Sequence, residues 1–171
     1  MQSPSLRQSL KKALFPSPQV RKLPPSSRVV VLGVGSDLRS DDAAGIRVAE
    51  RVALMSLPGV HVVIGGTAPE NATGEIRRID PTHVLIVDAA DLREVPGAVR
   101  LIEAEEVGGI SFSTHTLPLS VLSTYLTKET ACRVFILGIQ PKSLAFGEGL
   151  SGEVEAAVEE ALRALKDVLG T

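Results

Sequence analysis

The sequence predicts an α/β fold, a three-layer α/β/α sandwich around a mainly parallel five-stranded sheet with one antiparallel edge strand. Two observations carry most of this. Runs such as Val29-Val30-Val31-Leu32 and Leu85-Ile86-Val87 are short, apolar and continuous rather than alternating, the mark of strands buried on both faces of a parallel sheet. These runs alternate with stretches of helical periodicity, the order that produces helices on both faces of a sheet. A third observation sets the edge: Pro96-Gly97 joins two strand-like runs with no room for a crossover helix, so the second run lies antiparallel.

The elements follow in order. Residues 1–27 hold several prolines, among them Pro16, Pro18, Pro24 and Pro25, and are expected to form a mobile arm, with a short helix at Leu6 to Leu14. One domain is expected over residues 28–171. Its first strand is Val29 to Leu32, ended by Gly33-Val34-Gly35, and Asp41-Asp42 precede a helix with Gly45, Val48, Val52 and Met55 on one face, stopped at Pro58-Gly59. Val60 to Ile64 is the second strand, Pro69 to Ile79 a helix, and His83 to Val87 the third strand. Val99 to Glu103 is the edge strand, Leu117 to Leu126 a helix, and Cys132 to Ile139 the fifth strand. Ser151 to Leu169 is a long amphipathic helix with Val154, Val158, Leu162, Leu165 and Leu169 on its apolar face; Glu153 and Glu155 early and Lys166 late suit its dipole.

Composition narrows the function. Eighteen basic and 20 acidic residues give a formal charge of −2, and only 3% of residues are aromatic, so the chain lacks the basic, stacking surface of a nucleic-acid binder. A single cysteine excludes a disulfide scaffold. No apolar run reaches the roughly 20 residues of a membrane helix. The longest apolar piece near the start, Ala13-Leu14-Phe15, is far below the roughly 7–15 residues of an export signal's core, so a cytoplasmic location is expected.

In open α/β sheets ligands bind beyond the carboxyl ends of the strands. Asp41-Asp42, Asp88 and His115 all fall in such positions. Two carboxylates and an imidazole suit nickel, zinc, manganese or iron(II), and three ligands leave coordination positions open. Each residue also has a plainer role, since Asp41 or Asp42 can cap the following helix. His83 starts the strand that Asp88 ends, about 16 Å away at about 3.3 Å per residue, so it belongs to the opposite edge. His61 fails on the same ground, and Cys132 reads as a buried structural thiol. No His-Glu-x-x-His helix, Gly-x-Ser-x-Gly elbow or Walker loop is present. Gly33-Val34-Gly35 follows a strand as in a dinucleotide fingerprint, but Leu38 stands at the third glycine position.

The segment VLGVGSDLRSDDAAGIRVAE (31–50) resembles the opening motif of the nickel-iron hydrogenase maturation endopeptidases. The likeness continues through GGTAPEN (65–71), LIVDAAD (85–91), STHTLPL (113–119) and ILGIQP (136–141). The TAPEN, TH-x-x-PL and GIQP blocks are most similar to the subgroup serving formate-hydrogenlyase-type, group 4 hydrogenases. The resemblance implies an endopeptidase that removes a C-terminal extension from the hydrogenase large-subunit precursor after nickel insertion, acting as a monomer. It implies that Asp42, Asp88 and His115 contact nickel presented by the substrate and form the catalytic site, with Asp41 as the helix cap. It also implies substrate contacts at Gly35, Thr67, Glu70, Asn71 and Gln140. Ser36, where the family usually has Asn, and Ile64, where it has an acidic residue, depart from the pattern and bear on fine substrate choice. Metal-assisted and aspartic-type mechanisms both remain open at this point. So do two other readings, a nickel-checking module that does not cut and a nucleotide-binding protein using the Gly33 to Gly35 turn.

Overall fold

The computed structural model describes residues 4–15, 17, 19–20, 22–108, 110–112 and 117–170. In chain order the elements are α1 (Leu6–Leu14), β1 (Val29–Val34), α2 (Ala44–Leu54), β2 (Val60–Gly66), α3 (Thr73–Ile79), β3 (His83–Asp91), β4 (Val99–Glu103), β5 (Ser111–Phe112), α4 (Leu119–Thr130), β6 (Arg133–Ile139) and α5 (Gly152–Leu169). The sheet order is β2-β1-β3-β6-β4. β1, β2, β3 and β6 are parallel, and β4 runs antiparallel to β6 at the edge. A sixth strand, absent from the sequence reading, is the two-residue β5, which pairs antiparallel with the far end of β3. Two residues carry too little periodicity to be read in advance.

Alternate strand residues feed two separate cores. Val29, Val31, Leu85, Val87, Phe135 and Leu137 pack beneath α1, α2 and α5. Val30, Leu32, Val84, Ile86, Val134 and Ile136 pack beneath α3 and α4. The result is the expected three-layer sandwich, whose central strands β1, β3 and β6 are buried on both faces. Among the described residues no helix is long and apolar enough to cross a membrane.

The mobile arm needs correcting. Its helix has the expected bounds, but Leu6, Leu10, Ala13, Leu14 and Phe15 are buried in the same core as α2 and α5. Leu6, Leu10, Ala13 and Leu14 recur at helical spacing, giving one apolar stripe along the helix; the flanking prolines obscured it. A capping box starts the helix, with Ser5 Oγ accepting from Gln8 N and Gln8 Oε1 accepting from Ser5 N. At its end, Arg133 Nη1 donates to the Ala13 carbonyl at 2.8 Å, satisfying one orphan acceptor. Leu10→Ala is therefore expected to destabilise the protein by about 2–5 kcal/mol, the cost of a buried leucine, measurable by urea denaturation. Removal of residues 1–27 should lower the melting temperature for the same reason.

Candidate functional site

β1 and β3 run side by side and their pairing ends at Gly33↔Val87. Beyond that last pair, β1 turns away while β3 continues to Asp91, so Asp88 lies within the strand, paired with Gly138 of β6, rather than in a loop after it. The chain from β1 passes through a 3-10 turn, Ser40–Ala43, that carries Asp42 and packs on β3 before α2 begins. Asp42 and Asp88 are both buried, at 1% and 0% exposure. Buried carboxylates are held by pairing or hydrogen bonds, and a pair of them at one sheet edge is a candidate for function.

Two glycines let the backbones approach this closely. A Cβ on Gly45 would stand 2.1 Å from the Val87 carbonyl oxygen and 2.4 Å from that of Val34, so the first turn of α2 sits directly on the ends of β1 and β3. A Cβ on Gly35 (φ +136°) would stand 1.8 Å from the Asp42 carbonyl oxygen. Gly35 thus closes the loop over the Asp42 backbone, a sufficient internal reason for its being glycine. Gly33 is equally accounted for, since a Cβ there would meet Ala49 Cβ at 2.6 Å. The Gly33-Val34-Gly35 turn is shaped by helix packing, which removes the case for a nucleotide fingerprint.

Asp41 behaves differently from the helix cap expected of it. It lies in the second position of the Ser40–Ala43 turn, and neither that turn nor α2 has a side-chain cap hydrogen bond. Its carboxylate instead holds the segment after β6: Oδ2 accepts from Lys142 N (2.8 Å), Ser143 N (3.1 Å) and Ser151 Oγ (3.0 Å), and Oδ1 accepts from Ser151 N (2.7 Å). Burial pushes its pKa up, but the hydrogen bonds from Ser151, Ser143 and Lys142 together outweigh it and hold the carboxyl below its ordinary 3.8. With the folded value depressed, the stabilisation is present above the unfolded value and is lost as pH falls through the native one. Asp41→Asn places an amide donor against backbone donors, and is expected to cost about 1–3 kcal/mol at neutral pH. Thermal melts should show that the variant loses less stability than wild type between about pH 7 and pH 3.

The other expected residues differ in their surroundings. Thr67 and Asn71 are exposed after β2, and Gly35 N donates to Gly66 O at 2.9 Å, joining that loop to the β1 turn. Glu70 is half-buried, and its Oε2 is buried without a hydrogen-bond partner among the described residues. Gln140 also has a structural role: its Oε1 accepts from Leu92 N at 2.7 Å and its Nε2 donates to Pro141 O at 3.4 Å, fixing the chain beyond β3. His115 lies outside the described residues. Among those described, no three His, Cys, Asp or Glu side chains gather into a metal-sized cluster.

The groups set aside by sequence stay aside. His83 pairs in register with Val29 at the amino end of the sheet, where burial and then the Arg133 charge push its pKa down. Cys132 is buried, and burial pushes its thiol up, away from the reactive thiolate. His61 is exposed near the start of β2.

Fold and site together define a small α/β sandwich with buried carboxylates at the carboxyl edge of a parallel sheet. Comparison with known proteins gives the class its family. The profile of the hydrogenase maturation proteases matches residues 46–168, a span that contains Asp88 and His115 and begins four residues after Asp42. The chain is 37% identical over 138 residues to the hydrogenase 3 maturation protease of Escherichia coli, covering 80% of this chain and 88% of that one. It is 34% identical over 156 residues to a putative hydrogenase maturation protease of Methanocaldococcus jannaschii, covering 86% and 92%. Among solved structures, the nickel-iron hydrogenase maturation protease HycI of Thermococcus kodakarensis superposes with a TM-score of 0.78 at 30% identity, covering 85% of this chain and 94% of that one. The chain belongs to the hydrogenase maturation protease family, and it is an endopeptidase.

Proposed function

We propose that this endopeptidase removes the C-terminal extension of a nickel-iron hydrogenase large-subunit precursor once nickel has been inserted, and that the substrate's nickel is what the site reads. The observation that carries the reading is the pair of buried carboxylates, Asp88 on β3 and Asp42 on the turn after β1 that packs against β3. Carboxylate oxygens with the His115 imidazole form a donor set suited to a nickel ion whose remaining ligands come from the precursor. Three protein donors from separate segments leave room for those ligands, so the metal arrives and departs with the substrate. Anchoring the precursor through its metal holds the adjoining peptide in the cleft, the positioning that turns hydrolysis into a local event. It also makes loading a condition of cleavage, because a precursor without nickel offers nothing for Asp42 and Asp88 to bind.

The test is incubation of the purified protein with precursor prepared with and without nickel, followed by mass spectrometry of the large subunit. Shortening of the loaded form alone is expected. Equal shortening of both forms would contradict nickel reading, and binding without shortening would reassign the protein as a checking module.

A further inference from the structure

Leu38 and Phe146 stand out because they are large, apolar and exposed, at 67% and 79% of their surface. They lie on different loops, one between β1 and α2 and the other between β6 and α5, and the structure binds those loops together. Ser40 N donates to Gly147 O at 2.9 Å, Gly147 N donates to Leu38 O at 3.1 Å, and Ser40 Oγ donates to Ala145 O at 3.0 Å. Arg39 Nε donates to Leu144 O at 3.2 Å, and its guanidinium lies 4.9 Å from the centre of the Phe146 ring. The four hydrogen bonds to Asp41 pin the base of the same pair of loops, one residue from Asp42. Rigid loops that hold two large apolar side chains in water, around a cation, gain nothing for the fold from doing so.

We propose that Leu38, Arg39 and Phe146 form a docking platform for the polypeptide of the precursor, seating an apolar side chain with a carboxylate beside it. This rests on the function proposed above and adds the surface that recognises protein rather than metal. The carboxylate follows from charge: the partners fixed on Arg39 are a carbonyl and an aromatic ring, and no ion pair among the described residues includes it. Stacking on Phe146 holds the guanidinium in place, so less freedom is lost when an anion binds. Aromatic, arginine and apolar groups held rigidly are the composition of strong interface anchors, and these are held next to the turn that carries Asp42.

The experiment is steady-state processing of nickel-loaded precursor by Leu38→Ser, Phe146→Ser, the double variant and Arg39→Gln, with binding followed in parallel by interferometry. Leu38→Ser and Phe146→Ser are each expected to raise KM by about tenfold, and the double variant by more than about thirtyfold, the factor that corresponds to a strong interface anchor. The kcat at saturation should stay within about twofold, since uniform binding is what is removed. Arg39→Gln should raise KM and flatten its dependence on salt. Leu38→Ser changes a side chain that is two-thirds exposed, so it guards against a folding artefact at Phe146. If wild type binds and cuts while both serine variants keep its KM and affinity, or lose kcat instead, the platform is refuted. If wild type neither binds nor cuts loaded precursor, the proposed function fails and this occupant fails with it.

Discussion

Asp42→Asn and Asp88→Asn should each stop processing of nickel-loaded precursor while leaving a folded protein. Asparagine keeps the size of the side chain and removes its charge and one acceptor, so the buried position stays filled. Loss of a residue that merely supports a metal ligand costs about 10–100-fold in affinity or activity. Loss of a ligand itself is expected to exceed about a hundredfold, read as the initial rate of large-subunit shortening. Thermal melts of the same preparations separate this from unfolding. Alanine at Asp41 provides the contrast: it should lower the melting temperature by releasing residues 142–151, with a smaller effect on the nickel dependence of binding. Neighbouring aspartates in one turn are thus expected to differ, Asp42 acting on processing and Asp41 on the fold.

Gly45→Ala is expected to disrupt the packing of α2 on the central sheet severely. The added Cβ would face two carbonyl oxygens of the central sheet at 2.1 and 2.4 Å, and a backbone contact of that kind cannot be relieved by a rotamer. Either α2 lifts from β1 and β3 or the strand ends move. Overpacking commonly costs about 1–3 kcal/mol, and a clash with two backbone atoms in the central layer should exceed about 4 kcal/mol. Denaturant titration measures it. Wild-type stability in this variant would show that α2 is not seated on the strand ends as described, and the placement of Asp42 would lose its support.

The larger elements were legible because each has a strong local signal. Continuous Val, Leu and Ile runs marked β1, β3 and β6, and α5 kept its apolar stripe over 18 residues. The antiparallel edge was readable from the short Pro96-Gly97 link. Features that depend on a partner distant in sequence were not. Asp41 looks like a cap because a cap is a local event, whereas its true partners are about a hundred residues away. Gln140 sits in a motif block, and only the fold shows its amide turned toward Leu92. The α1 stripe was present in the sequence but too short to outweigh the prolines around it. Of the candidate site, the positions of Asp42 and Asp88 followed from strand order alone, whereas Leu38 and Phe146 become neighbours only through the pairing of two loops.

The central claim, that Asp42 and Asp88 read the substrate's nickel, is tested most directly by equilibrium binding. Affinity for nickel-loaded and nickel-free precursor would be measured with wild type and with the Asp42→Asn/Asp88→Asn double variant, at a temperature where cleavage is slow. Wild type is expected to prefer loaded precursor by at least about tenfold, equivalent to about 1.4 kcal/mol, and the double variant to bind both forms alike. A double variant that keeps the full preference for loaded precursor would contradict that claim.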